Sequence, residues 1–280
     1  MDQFGGRVAV VTGAGSGMGR AFARRWAAEG MSVVAADVQQ DALDRTVAEI
    51  AGTGAQVLGG RTDVSDAAAV AHLADEAFGR FGGVHVLCNN AGVEGYLDGA
   101  IWEATDADWT WTVDVNFWSV VHGVRAFVPR MLAAGEPGHV VNTCSMTSVI
   151  PASNMYGITK QAVFALTEVL AADLRGRGAP IGVTALCPGT IATNLFHGSR
   201  NRPAGLRNEE ETAGARAGAE LRERMHATLS EGMSPDTVAE LLVDAVRRGA
   251  PYLLTDHDWD HLVQQRHEAI MAGAVGNLHD

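Results

Sequence analysis

Short apolar runs of strand length alternate along the chain with longer stretches in which apolar residues return every three or four positions. RVAVVT (7–12), SVVAAD (32–37), QVLGGRTD (56–63), VHVLCNNAG (84–92), GHVVNTCS (138–145), IGVTALCPG (181–189) and PYLLT (251–255) read as strands. Between them, MGRAFARRWAAEG (18–30) carries Phe22 and Trp26 at helical spacing and ends on Gly30. QDALDRTVAEIAG (40–52) puts Leu43, Val47 and Ile50 on one face, and DAAAVAHLADEAFGRFG (66–82) does the same with Val70, Leu73 and Ala77. Further helices are predicted around 106–134, over 153–174 and near 235–248.

Alternating strands and helices need crossover connections, which make a parallel sheet with helices on both faces. The nearly continuous apolar strands agree, because such strands are buried on both sides. The expected fold class is α/β, a doubly wound Rossmann-type parallel sheet in a single domain over 1–280. The segment 197–232 breaks the rhythm with Gly, Arg and Glu. It is expected as an insertion, a mobile flap spanning about 195–232 with some helix around 209–231, lying over the carboxyl edge of the sheet where ligands bind. The last stretch, 256–280, is expected to hold a solvated helix.

Composition narrows the partners. The chain has 280 residues, 47% hydrophobic and 19% charged, with a formal net charge of −12. That balance repels nucleic acid and anionic membrane surfaces, so neither is expected as a partner. No run approaches the roughly 20 apolar residues of a membrane span, and the opening residues lack a signal-peptide pattern. A cytoplasmic protein is expected. Cys88, Cys144 and Cys187 are odd in number and widely spaced, which reads as small buried thiols. HDWDH (257–261) has two histidines one turn apart but no third ligand, so no metal is expected.

The chemistry gathers at strand ends. TGAGSGMG (12–19) follows the first strand and opens the first helix, so its backbone can approach a pyrophosphate. Asp37 ends the second strand, where a carboxylate accepts both hydroxyls of an adenosine ribose. A 2′-phosphate there would be repelled, and no arginine follows in DVQQD, so NAD is favoured over NADP. In TDVS (62–65), Asp63 and Val64 suit an adenine ring; alternatively Asp63 or Ser65 caps the next helix. NNAG (89–92) suits an irregular turn beside a ligand. Tyr156 and Lys160 are four apart on a predicted helix and share a face. The ammonium is then expected to lower the phenol pKa and make Tyr156 a general acid or base near neutral pH.

Together these pieces resemble the short-chain dehydrogenase/reductase family, of the compact, single-domain, tetrameric kind. The matching residues run in family order over about 5–195: the Thr12–Gly19 turn, Asp37, Asp63-Val64, Asn89-Asn90-Ala91-Gly92, Asn116, Ser145, Tyr156-Gly157-Ile158-Thr159-Lys160 and Pro188–Thr193. The resemblance implies a catalytic tetrad. Tyr156 would exchange the substrate proton and Ser145 would orient the substrate oxygen. Lys160 would hold the nicotinamide ribose and lower the tyrosine pKa. Asn116 would distort its helix and hold a relay water. Implied cofactor contacts are Gly13, Gly15, Ser16, Gly17, Met18, Gly19, Asp37, Val38, Asp63, Val64, Asn90, Ala91, Gly92, Tyr156, Lys160, Pro188, Gly189, Ile191 and Thr193.

One departure stands out. Ser145 precedes Tyr156 by 11 positions, a shorter interval than the family's usual one, which implies a reshaped pocket wall. Thr143 and Ser148 are the competing hydroxyls, and Ser145 is preferred because it closes the fifth strand. By family position Val93, Glu94, Met146, Asn154, Leu195 and Phe196 would lie near the substrate. Trp102, Trp109, Trp111 and Trp118 read as core or subunit packing, with Trp102 an alternative pocket residue. The expected activity is NAD-dependent interconversion of a mostly apolar secondary alcohol and its ketone, by a homo-oligomer, tetramer or dimer. The alternatives are an NADP-dependent carbonyl reductase and a non-catalytic NAD-binding regulatory protein.

Overall fold

β1 (Val8–Thr12) is buried at every position, and its residues alternate between two cores. Ala9 and Val11 pack with Phe22 and Trp26 on one face of the sheet, whereas Val8 and Val10 pack with Leu73, Phe127 and Leu174 on the other. β2 (Ser32–Asp37) divides in the same way, with Val33 and Ala35 on the first side and Val34 and Ala36 on the second. This two-sided burial is why the strands read as unbroken apolar runs. Each large core side chain contributes about 1.5–3 kcal/mol on burial.

The computed structural model describes residue 1, residues 3–208 and residues 213–273. After β1 come α1 (Gly17–Ala28), β2, α2 (Gln40–Gly52), β3 (Val57–Arg61), α3 (Ala67–Phe81) and β4 (Val86–Asn89). Next are α4 (Asp106–Val113), α5 (Ser119–Ala134), β5 (Gly138–Thr143), α6 (Met155–Gly176) and β6 (Ile181–Cys187). Last are α7 (Ala213–Ser230), α8 (Pro235–Arg248), β7 (Tyr252–Leu254) and α9 (Asp260–Met271). Seven strands form one sheet in the order β3-β2-β1-β4-β5-β6-β7, with every pairing parallel. α1 and α8 lie on the first face, and α3, α5 and α6 on the second. The fold is the expected doubly wound Rossmann type. Strand order reverses between β1 and β4, which opens a crevice at their carboxyl ends.

Local differences from the sequence reading have physical causes. The predicted strands 56–63 and 84–92 end earlier, because Thr62, Asn90 and their successors turn to face the crevice. The long helix around 106–134 is two helices joined by a π-turn over Asp114–Trp118. The α3 N-cap is Asp66, which accepts the Ala68 N–H at 2.8 Å, so neither Asp63 nor Ser65 caps that helix.

The flap leaves the sheet after β6. It makes short 3₁₀ turns over Leu195–Asn201 and Ala204–Leu206, then α7. The helix expected around 209–231 is α7; residues 209–212 lie outside the described residues, as do 274–280 of the expected C-terminal segment. All three cysteines are buried and free. Among the described residues no helix is long and apolar enough to cross a membrane, and no cluster of side chains could hold a metal ion.

Candidate active site

Thr12 joins the two walls of the crevice. Its hydroxyl accepts the N–H groups of Asn90 (2.9 Å) and Ala91 (3.2 Å), and its carbonyl accepts Asn90 Nδ2 at 3.0 Å. Gly13 then turns with φ +69°, and a Cβ there would lie 3.0 Å from the Ala91 Cα. At Gly19 an added Cβ would fall 2.1 Å from the Gly13 carbonyl oxygen, so helix and turn meet too closely for a side chain. Ser16 is the N-cap of α1 and makes no side-chain cap hydrogen bond. The first-turn N–H groups of a helix have no intrahelical partners. A positive helix end therefore faces the cleft, which fits a phosphate group.

Asp37 bounds the cleft at the end of β2. Its Oδ2 accepts the Gly15 N–H at 2.8 Å and its Oδ1 accepts the Gln39 N–H at 2.9 Å. Val38, Asp63 and Val64 line the same wall. Asp63 Oδ1 accepts from Ser65, from the N–H at 3.0 Å and the hydroxyl at 2.6 Å. Gly13, Ser16, Gly17, Met18 and Gly19 line the floor, and Asn90, Ala91, Gly92 and Thr193 the inner wall. Four expected contacts are not brought to the cleft, the first being Gly15, whose N–H is taken by Asp37. Ile191 buries its side chain in the core, the Gly189 N–H is taken by Thr255 Oγ1 at 3.0 Å, and the Pro188 carbonyl accepts the Met146 N–H at 2.9 Å.

Tyr156 and Lys160 sit in the opening turns of α6, whose N-cap Asn154 accepts the Gly157 N–H at 2.9 Å. Both line the cleft. Lys160 is only 2% exposed; its Nζ donates to the Thr143 carbonyl at 2.7 Å and lies 5.6 Å from the Tyr156 ring centroid. Ser145 is the side chain that most lowers the Tyr156 phenol pKa, and its Oγ accepts the Thr147 N–H at 3.2 Å. Its two rivals are committed to the fold: Ser148 Oγ accepts the Ser145 N–H at 3.1 Å and donates to the Lys160 carbonyl at 2.9 Å, and Thr143 Oγ1 donates to Asn90 Oδ1 at 3.3 Å. Asn116 is buried in the π-turn. Its Oδ1 accepts the Val93 N–H at 2.8 Å, and its Nδ2 donates to the Val93 carbonyl (2.9 Å) and Thr159 Oγ1 (3.0 Å).

The electrostatics of these groups run opposite to the expected direction. Burial pushes the Tyr156 phenol from 10.0 up to about 12, opposed by Ser145. Burial likewise pushes Lys160 from 10.5 down to about 8. Helical spacing makes the two groups neighbours, but desolvation penalises the charged form of each. Within the protein's own groups, desolvation wins.

The family model described as short chain dehydrogenase matches residues 7–204. The chain belongs to the short-chain dehydrogenase/reductase family. A family member from Burkholderia phymatum, crystallised in complex with NAD, superposes with a TM-score of 0.94 at 42% identity, covering 100% of this chain and 99% of that one. The 1-deoxy-11-beta-hydroxypentalenate dehydrogenase of Streptomyces exfoliatus is 43% identical over 194 residues, 69% of this chain and 70% of that protein. The C alpha-dehydrogenase of Sphingobium sp. is 34% identical over 257 residues, 91% of this chain and 82% of that protein. The protein is therefore an oxidoreductase of the dehydrogenase type.

The substrate side of this dehydrogenase differs from the residue-by-residue expectation. Val93 and Leu195 line the cleft. Met146 is buried in a core cluster, Asn154 is the helix cap, and Phe196 borders a separate hollow with His197. Glu94 is buried beneath Gly198, where burial raises its carboxyl pKa despite Arg222, whose Nε is 3.6 Å away. Trp102 is 84% exposed, and Trp111, 4% exposed, lines the cleft in its place. The loop shortened between Ser145 and Tyr156 is braced by Arg266 of α9, whose Nη1 donates to the carbonyls of Ser148 (3.3 Å) and Ile150 (3.1 Å).

Sequence reading assigned Trp111 of the dehydrogenase cleft to packing, and did not single out Gln39, Arg200, Asn201 and Pro203. Trp111 follows an exposed tryptophan-rich stretch, and only its place on α4 separates it from Trp102. The others come from loops without periodicity. Two arginines, Arg202 and Arg222, tie the flap down by ion pairs. Arg202 Nη1 meets Asp108 Oδ1 at 2.6 Å and stacks over Trp111, and Arg222 Nη1 meets Asp98 Oδ1 at 2.7 Å.

Proposed function

We propose that this dehydrogenase interconverts a mostly apolar secondary alcohol and its ketone, with NAD as the hydride carrier and Tyr156 as general acid/base. One juxtaposition carries the reading: a phenol whose pKa is tempered by Ser145, one helical turn before a buried lysine, on the wall of a cleft bounded by Asp37. The bound dinucleotide supplies the hydride acceptor in the oxidative direction. The remaining steps belong to the chain. Ser145 Oγ orients the alcohol oxygen, and Tyr156 Oη takes its proton as the carbinol C–H bond breaks. The Lys160 ammonium would hold the nicotinamide ribose. Asn116 holds the relay water through which the proton leaves. Reduction runs the same steps in reverse.

Asp37 supports NAD over NADP. Two unit charges 4 Å apart repel by about 1 kcal/mol in water and about 4 kcal/mol at an effective dielectric of 20. The NAD complex of the Burkholderia phymatum relative points the same way. Val93, Trp111 and Leu195 favour an apolar substrate, and the Streptomyces relatives are named as dehydrogenases of a hydroxypentalenate. The reading includes a homo-oligomer, tetramer or dimer.

NADH formation from a panel of secondary alcohols, for wild type and Tyr156→Phe, tests the proposal. We expect turnover that falls by about 10²–10⁴-fold in the variant. NAD binding without turnover across the panel favours a regulatory protein instead, and a preference for NADP overturns the reading of Asp37.

A further inference from the structure

We propose that Arg200 is a cofactor-positioning residue, carried by the flap across the cleft to hold the diphosphate of the dinucleotide. The inference rests on the dinucleotide reading above and deepens it.

The path of the chain is the first ground. The flap runs along the cleft rather than over one end of it. Thr193 packs against Gly17, where an added Cβ would lie 3.1 Å from Thr193 Cγ2. Seven residues on, Arg200 Nη2 reaches Gln39 Oε1 at 3.5 Å, two residues past Asp37. Asp37 ends β2 and Ser145 follows β5, three strand spacings away in the sheet. At about 4.8 Å per spacing that is roughly 14 Å. Arg200 thus stands at the adenosine side, away from the reacting hydroxyls.

Charge is the second ground. Among the described residues lining the cleft, the cations are Lys160 and Arg200, and the anions are Asp37 and Asp63. Lys160 is buried beside Tyr156 and bonded to Thr143. A diphosphate bound at the Gly17 turn meets a helix end worth about half a positive charge. Arg200 is the cation placed to supplement it. Its other contact, Nη1 to the His197 carbonyl, orients the guanidinium and leaves its charge intact. Asp37 is an unfavourable neighbour for a 2′-phosphate, which leaves the diphosphate as the group that gains from this arginine.

Equilibrium binding of NADH, ADP, adenosine and NADPH to wild type, Arg200→Gln and Arg200→Lys tests the assignment, with thermal melts to confirm folding of this exposed site. In Arg200→Gln we expect NADH and ADP to bind about tenfold more weakly, with a smaller loss at high salt and in Arg200→Lys, and adenosine to be unaffected. Unchanged ADP and NADH affinity, or an equal loss for adenosine, overturns the role of Arg200 while leaving the dehydrogenase reading intact. A loss confined to NADPH also overturns it, by moving the contact to the 2′-phosphate. Failure of wild type to bind any dinucleotide overturns both readings.

Discussion

Lys160 Nζ lies 5.6 Å from the ring centroid of Tyr156, yet its hydrogen bond goes to the Thr143 carbonyl at 2.7 Å. Lys160 is buried and Tyr156 half-buried beside it, with no direct bond between them. Desolvation therefore sets both pKa values, the phenol up at about 12 and the amine down at about 8.

A phenol at about 12 is a poor base at neutral pH. A cationic nicotinamide ring in the cleft would favour the phenolate, and each unit of lowering takes about 1.36 kcal/mol. The chain has only three tyrosines, so the phenolate absorbance of wild type minus Tyr156→Phe isolates one group. We expect that difference to titrate near 12 in the protein alone and at least about one unit lower with saturating NAD⁺. A titration indifferent to NAD⁺ would remove the cofactor's charge from the mechanism.

Lys160 links function to stability. Its folded pKa, about 8, lies below the unfolded 10.5. Between those values the unfolded chain holds more protons, so stability rises with pH across that window. Below it, burying the ammonium costs up to about 3 kcal/mol. Lys160→Met should therefore be the more stable protein near neutral pH, lose the alkaline rise, and lose turnover. Urea unfolding at neutral and alkaline pH measures the first two effects; a variant less stable than wild type at neutral pH refutes the argument.

What the sequence made legible follows from what its signals encode. Strands such as Val8–Thr12 were readable because burial on both faces leaves no polar alternation. The Gly13–Gly19 turn and Asp37 were readable because close backbone approach and a braced carboxylate need those residue types. Spacing placed Lys160 beside Tyr156 but carried no information on desolvation, so the direction of the phenol shift was missed. Trp111 and Trp102 are indistinguishable in composition, and only packing puts one in the cleft. Arg200, Arg202 and Arg222 come from a segment with no period, and their partners are about 100 or more positions away, as in Arg202–Asp108 and Arg222–Asp98.

The Arg202–Asp108 pair should behave as a buried tie of the flap. Burial would raise the Asp108 carboxyl, but the Thr105 N–H and the Arg202 guanidinium outweigh it and hold it below the usual carboxylate range. Removing Arg202 leaves the charge of a 2% exposed carboxylate with only the neutral donors of Thr105 and Asn208. Arg202→Ala should cost about 3–5 kcal/mol, and Asp108→Asn in the same chain should recover part of that. Because the Arg202 guanidinium lies over Trp111 in the cleft, Arg202→Ala should also change tryptophan emission and weaken NADH binding. Additive losses in the double-mutant cycle would show that the pair is not coupled.

His139 should add to the acid sensitivity of the fold. It lies on β5, 1% exposed, against Gly182, where an added Cβ would come within 2.5 Å of Nδ1. Thr184 Oγ1 donates to the Ala250 carbonyl at 2.6 Å, so it accepts from His139 Nε2 at 2.7 Å. That chain selects the neutral ring with its proton on Nε2. Burial pushes the His139 pKa from 6.5 down to about 4, with a smaller push from the positive N-terminus. Its contribution is complete above 6.5 and is lost as pH falls towards 4, because the unfolded chain there binds the extra proton. The loss amounts to about 3 kcal/mol at 1.36 kcal/mol per unit. His139→Gln keeps a donor for Thr184 and cannot titrate, so its unfolding free energy should be flatter than wild type over that window. Parallel acid dependence of the two proteins in urea unfolding would assign the acid sensitivity to other groups.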